Sequence, residues 1–187
     1  MRALKICGLS LCLALLAACG SNNEVERAQP PTQTPAAQDA PLLASAVLLP
    51  TQGNIVEGTV RFVEDDGGIR VIAEVSGLTP GWHGFHVDEN GDCSAPDASS
   101  AGGHFNPHGT EHGKVGGDAH HAGDLPSLEA DNDGNATLNV VLDGITLTGE
   151  HSIIGRSLIV HADPDDYTTQ PTGNAGPRVA CAVIQKD

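Results

Sequence analysis

Seven of the nine histidines of this chain fall between residues 83 and 124: His83, His86, His104, His108, His112, His120 and His121. Asp88 and Asp124 lie in the same stretch, and His161 follows further on. Imidazole and carboxylate together are the donor set that suits zinc and copper. The plain alternative is a solvated, histidine-rich loop. Spacing favours metal. His104, His112, His121 and Asp124 are separated by eight, nine and three residues in a glycine-rich segment, so one loop can wrap a tetrahedral ion. Three imidazoles and a carboxylate make a closed zinc site, and such an ion orders a loop that would otherwise be floppy. His86 and Asp88 are two residues apart in an extended stretch, which puts both on one face. His161 ends a later apolar stretch and can reach the same point from a neighbouring strand.

The elements that must hold these residues are strands. Apolar and polar residues alternate over 54–63 (Ile55, Val56, Val60 and Phe62 among Glu57, Thr59 and Arg61), 69–75 and 136–142. Shorter strands are expected at 45–49, 82–88, 157–161 and 179–184. Asp65-Asp66-Gly67-Gly68 and Asp131-Asn132-Asp133-Gly134 are turn signals. No helical periodicity of any length appears, so an all-β sandwich or barrel is expected. Two long loops remain, residues 89–124 and 162–178, and long loops in a compact domain usually carry function.

The chain begins with an export signal. Arg2 and Lys5 flank an apolar run over 6–18 that is too short for a mature transmembrane helix. Leu16-Ala17-Ala18-Cys19 resembles a bacterial lipobox, which implies cleavage after residue 18 and lipid on Cys19. The alternative is an ordinary secretory signal with Cys19 incidental. Residues 19–41 read as a proline-spaced tether with too little apolar content to pack, and residues 42–187 as one domain. The expected location is the bacterial cell envelope, lipid-anchored and facing periplasm or exterior. Cys7 and Cys12 leave with the signal, so Cys93 and Cys181 remain. In an oxidising compartment they read as one disulfide, with two free or metal-binding thiols as the alternative. Nine Lys and Arg stand against 24 Asp and Glu. Losing Arg2 and Lys5 leaves seven against 24, a net charge of −17, which excludes nucleic acid as a partner and weakens attraction for anions.

Several motifs in order carry a resemblance to a known family: His83-Gly84-Phe85-His86-Val87, Gly103-His104-Phe105-Asn106-Pro107, His121-Ala122-Gly123-Asp124, Ile154 through His161, and Gly173-Asn174-Ala175-Gly176-Pro177-Arg178-Val179-Ala180-Cys181. Residues 42–187 resemble the copper-zinc superoxide dismutases in their bacterial exported lipoprotein form. The resemblance implies an eight-stranded Greek-key β-barrel and a dismutase that turns superoxide into oxygen and hydrogen peroxide. It implies zinc on His104, His112, His121 and Asp124. It implies copper on His86, position 88, His104 as a bridging ring, and His161. Arg178 would hold the superoxide anion, Asp165 would link a copper histidine to a zinc histidine, and Cys93–Cys181 would be the family disulfide. A homodimer is within the family's range, and Trp82 would be either exposed for such a contact or half-buried. Position 88 departs from the pattern, because Asp88 stands where the family has histidine. A carboxylate disfavours Cu(I) relative to imidazole. The chain is then either a slowed enzyme or a zinc-only or copper-binding lipoprotein on the same fold. The loop over 162–177 also lacks the family's steering lysines and carries Asp163, Asp165 and Asp166. His83 is expected to be structural and His151 solvated. His108 or His120 would have to cross the zinc site to replace the missing ligand.

Overall fold

The computed structural model of the protein describes residues 43–187. The expected export signal over 1–18 and the expected tether with Cys19 lie outside the described residues. Ten strands follow one another: β1 (Leu43–Pro50), β2 (Glu57–Asp65), β3 (Gly68–Ser76), β4 (Gly81–His83), β5 (Phe85–Asp88), β6 (Leu128–Ala130), β7 (Ala136–Leu142), β8 (Ser157–His161), β9 (Arg178–Val183) and β10 (Gln185–Lys186). Helix among the described residues is limited to one 3-10 turn, Ser99–Ala101. The expected all-β fold is therefore present. β6 has no counterpart in the sequence reading, because three residues cannot display a period of two.

All strand pairs are antiparallel, in the order β4-β6-β7-β3-β2-β1-β9-β8-β5, with β10 on β1. The first and last strands of that order, β4 and β5, are consecutive in the chain and separated by Gly84 alone. One extended stretch thus passes from one edge of the sheet to the other and nearly closes a barrel. With β4 and β5 taken as one strand and β10 as the continuation of β9, the expected eight are recovered. Gly84 is where the two edges meet. Its N–H donates to Asp163 and its carbonyl accepts from the His161 N–H, both at 2.9 Å. A Cβ there would lie 2.6 Å from the Ala175 Cβ, closer than packed carbons approach.

The barrel interior follows from strand alternation. Val60 and Phe62 of β2, Val71 and Ala73 of β3, and Ala44, Ala46 and Leu48 of β1 are buried, and their neighbours point outward. On β5, Phe85 and Val87 join that core. Alternation then sends His86 and Asp88 to the outer face, where they are nevertheless fully buried. β8 is buried at every position. An antiparallel strand buried on both faces needs a second cover, and here the long loops supply it. Ile159 and Cys181, on the outer face, pack against Ala98 and Ala101 of the first loop. The metal-binding histidines expected from the sequence lie in this layer between barrel and loops.

Gly84→Ala is expected to lower the unfolding free energy by about 1–3 kcal/mol, the usual cost of overpacking, as read from urea titration. An unchanged midpoint would show that barrel closure is not constrained at this residue.

Candidate metal centre

The first long loop reaches the outer face of β5 as short extended segments. Residues around His104 and Asp124 run beside β5 and extend its pairing: Phe105 and Val87 N–H groups donate to the Val87 and Gly123 carbonyls at 2.8 Å, and the Gly123 N–H donates to the Phe105 carbonyl at 2.8 Å. These bonds place Asp124 opposite His86 and His104 opposite Asp88. Arg156 lies 3.5 Å over the Phe105 ring and donates to the Glu89 carbonyl at 2.9 Å, a cation–π and hydrogen-bond clamp that fixes both ends of the segment. A disulfide joins Cys93 of the same loop to Cys181 of β9, which settles the pairing in favour of the bridge over two free thiols.

Two groups of donors result. In the first, the ligand atoms of His104, His112, His121 and Asp124 all lie within 4.8 Å of one another, and all four residues are buried. The Nδ1 atoms of the three histidines stand 2.9, 3.0 and 3.6 Å from Asp124 Oδ1. A tetrahedron of zinc–ligand bonds has edges of roughly 3.3 Å, so this spacing fits one ion coordinated by N3O. The second Asp124 oxygen accepts the Gly113 and His121 N–H groups at 3.2 and 2.8 Å. Burial raises the Asp124 carboxyl, but the His104 and His112 hydrogen bonds outweigh it and hold the pKa well below the carboxylate range. The group is an anion at any ordinary pH.

In the second group, His86, His104 and His161 bring their donors within 4.8 Å of one another. His86 Nδ1, His104 Nε2 and His161 Nε2 are buried and without a hydrogen-bond partner. Each ring's other nitrogen is engaged: His86 Nε2 with Asp165 at 2.7 Å, His104 Nδ1 with Asp124, and His161 Nδ1 with the Gly176 carbonyl at 2.9 Å. Engaging one nitrogen fixes the ring and leaves the other free as a metal donor. His104 contributes to both groups, with its ring centroid 3.9 Å from that of His86. Burial lowers the His86 pKa to about 4 against the pull of Asp165, and lowers His161 to about 3 with His86 adding to the effect. Both rings are neutral near pH 7, as metal ligands must be. These residues fit a copper ion held by three imidazoles.

The remaining expected site residues divide cleanly. Asp165 Oδ2 faces His86 Nε2, and its Oδ1 faces His112 Nε2 at 2.9 Å, so it spans the two groups as the resemblance implies. Gly173 makes this possible, since a Cβ there would lie 1.9 Å from Asp165 Oδ1. Arg178 is at the rim of the second group, but Asp88 is not among its donors: Asp88 Oδ2 lies 2.8 Å from Arg178 Nη2 instead. His83 is structural, with its nitrogens at 2.9 Å from the His161 carbonyl and 2.7 Å from that of Thr79. His108 is exposed against His151, with ring centroids 4.7 Å apart. His120 meets the His121 carbonyl. Neither joins a metal group. Trp82 is 50% exposed. The sequence reading missed Gln170, whose side chain clasps the His112 backbone with two 2.9 Å bonds across 58 residues. No local signal marks that glutamine.

Asp165→Asn is expected to weaken zinc binding about 10–100-fold by loosening His112, read by competition with a chelating dye. For the metal-free protein, the lowered His86 and His161 pKa values set the sign of the acid response. The unfolded chain takes up these protons near 6.5, so stability is full above that pH. It falls as pH drops toward about 3, but burial also raises the Asp88 carboxyl to about 7, so the folded chain takes up one proton over the same range and the net slope approaches one proton. His112, raised to about 9 because the Asp124 and Asp165 bonds outweigh burial, acts only on the alkaline side. Denaturant titrations between pH 7 and 4 that show no loss would contradict this. The geometry of a paired zinc-type and copper-type site agrees with comparison to known families: the copper/zinc superoxide dismutase family model matches residues 56–184, more than half of the chain, and the chain belongs to that family.

Proposed function

We propose that this protein is an envelope-anchored superoxide dismutase with a slowed catalytic centre. The overall reaction takes two superoxide anions and two protons to one oxygen and one hydrogen peroxide. Family membership supports the reaction class. The observation that carries the reading is the set of three unpartnered, buried imidazole nitrogens of His86, His104 and His161, joined to the zinc-type group through one shared ring. Copper held by His86, His104 and His161 would supply one-electron redox chemistry. The chain's own residues do the rest. His104 holds its ring rigidly between the two groups. Asp165 orients His86 and His112 together. His104, His112, His121 and Asp124 would hold zinc and so fix the loop that carries His104. Arg178 pairs with His161 across β8 and β9 and is the residue the resemblance assigns to the anion, but Asp88 Oδ2 already stands 2.8 Å from its guanidinium.

The anchor and location rest on the sequence. Cys19 after Leu16-Ala17-Ala18 supports lipidation and an outward-facing domain on a tether over 19–41. Among the described residues no helix is long and apolar enough to cross a membrane. The slow rate follows from charge. The net charge of −17 and the aspartates of the loop over 162–177 weaken steering of an anion, and Arg178 already faces Asp88. That same pair favours a second reading, a metal-binding lipoprotein without turnover.

Dismutation by protein reconstituted with zinc and then copper separates the two. The parent is expected to turn over superoxide, and Asp88→His to do so about tenfold faster or more, which corresponds to about 1.4 kcal/mol of barrier. A parent with no activity beside an active variant would leave metal binding as the function.

A further inference from the structure

Asp88 is fully buried on the outer face of β5, a place where an unpaired carboxylate costs several kcal/mol. Its charge partner is Arg178, at 2.8 Å. The guanidinium is not free to follow it. Arg178 Nη1 donates to the Ala98 carbonyl at 2.7 Å, and Nη2 donates to that of Gly102. Those two carbonyls use the well-directed N–H groups, so Asp88 meets the guanidinium obliquely and both its oxygens lack a directed hydrogen bond. Burial raises the Asp88 pKa to about 7 against the pull of Arg178, so the contact is a full charge pair above that pH. The carboxylate also stays out of the three-histidine group, although β5 and the first loop place it across from His104. A carboxylate held against a fixed guanidinium, beside a wall of buried imidazoles, is chemically a small bound anion that belongs to the chain.

We propose that Asp88 is a built-in anion seated on Arg178, which closes that seat to small external anions, and that it is not a ligand of the metal held by His86, His104 and His161. The inference rests on the dismutase reading only in naming superoxide as the anion kept out; the seat itself is defined by Arg178, Ala98 and Gly102. Asp88 acts through Arg178 and is a positioning residue. The seat would take small monoanions of carboxylate size, such as formate or azide, once Asp88 is removed. The first loop is part of the device, because its Ala98 and Gly102 carbonyls aim the guanidinium. The Cys93–Cys181 bridge ties that loop to β9, three residues beyond Arg178.

Formate is the direct probe, since it replaces the carboxylate that a truncation deletes. Binding is measured by calorimetry on the zinc-loaded full-length protein, without copper. Asp88→Ala is expected to bind formate at least roughly tenfold more tightly than the parent, and the gain is expected to vanish in Asp88→Ala with Arg178→Met. Equal formate affinity in parent and Asp88→Ala, or a gain that survives loss of Arg178, overturns the proposal. Should Asp88→Ala fail to fold in chloride, refolding in formate becomes the readout: formate restores the fold if the seat exists, and no difference between the salts overturns it. A second measurement addresses the metal. The Cu(II) electron paramagnetic resonance spectrum is expected to be the same in parent and Asp88→Ala, and an altered hyperfine pattern would make Asp88 a ligand and sink the proposal. If neither protein takes up copper, the dismutase reading fails, while the formate titration still decides whether Asp88 fills the Arg178 seat.

Discussion

One imidazole ring serves two pockets. His104 presents Nδ1 to the group with His112, His121 and Asp124, and Nε2 to the group with His86 and His161. Turning that ring would take its donors out of both groups. Its position is therefore the constraint that the barrel and both loops are arranged to satisfy. β5 supplies the register that sets His104 opposite Asp88 and Asp124 opposite His86. The core residues Phe85 and Val87 fix that strand from the inside. Packing energy of the barrel is in this way converted into the placement of polar groups on its outside.

The two long loops would have little reason to hold a single conformation on their own. They carry few apolar side chains and much glycine, and ordering them costs conformational entropy. What offsets that cost is a set of specific ties. Asp165 bridges His86 and His112, Gln170 clasps the His112 backbone, and the Tyr167 hydroxyl meets that of Ser127 at 2.7 Å. The disulfide and the Arg156–Phe105 contact hold the other side. Each tie joins segments far apart in sequence, so the loops support one another rather than fold separately. Bound metal would add its own binding energy to the same set of contacts.

Much of this was legible in the sequence because it depends on local periodicity. Alternation located the strands that became β2, β3 and β7, and the apolar run over 157–161 became β8 with the same bounds. The zinc-type ligands were legible because their residue types are rare and crowded. The break at Gly84 was hidden, since a strand that changes sheet edges reads as one strand. The fate of Asp88 was hidden for a different reason. Position along a strand gives a face, and it put His86 and Asp88 on the same one. It does not say whether a short carboxylate there turns toward imidazoles or toward a guanidinium 90 residues away. That choice depends on Arg178 being fixed by the Ala98 and Gly102 carbonyls, which no motif announces. Gln170 was invisible likewise, as one polar loop residue among many.

One chain builds two groups of metal donors that share the His104 ring. Anomalous X-ray diffraction from crystals of the protein loaded with zinc and copper, recorded at both absorption edges, tests it most directly. Two separate peaks are expected: zinc among His104, His112, His121 and Asp124, and copper among His86, His104 and His161, with the His104 ring between them. A single peak, or both metals sharing one pocket while the three imidazoles of the other stay unligated, would contradict it.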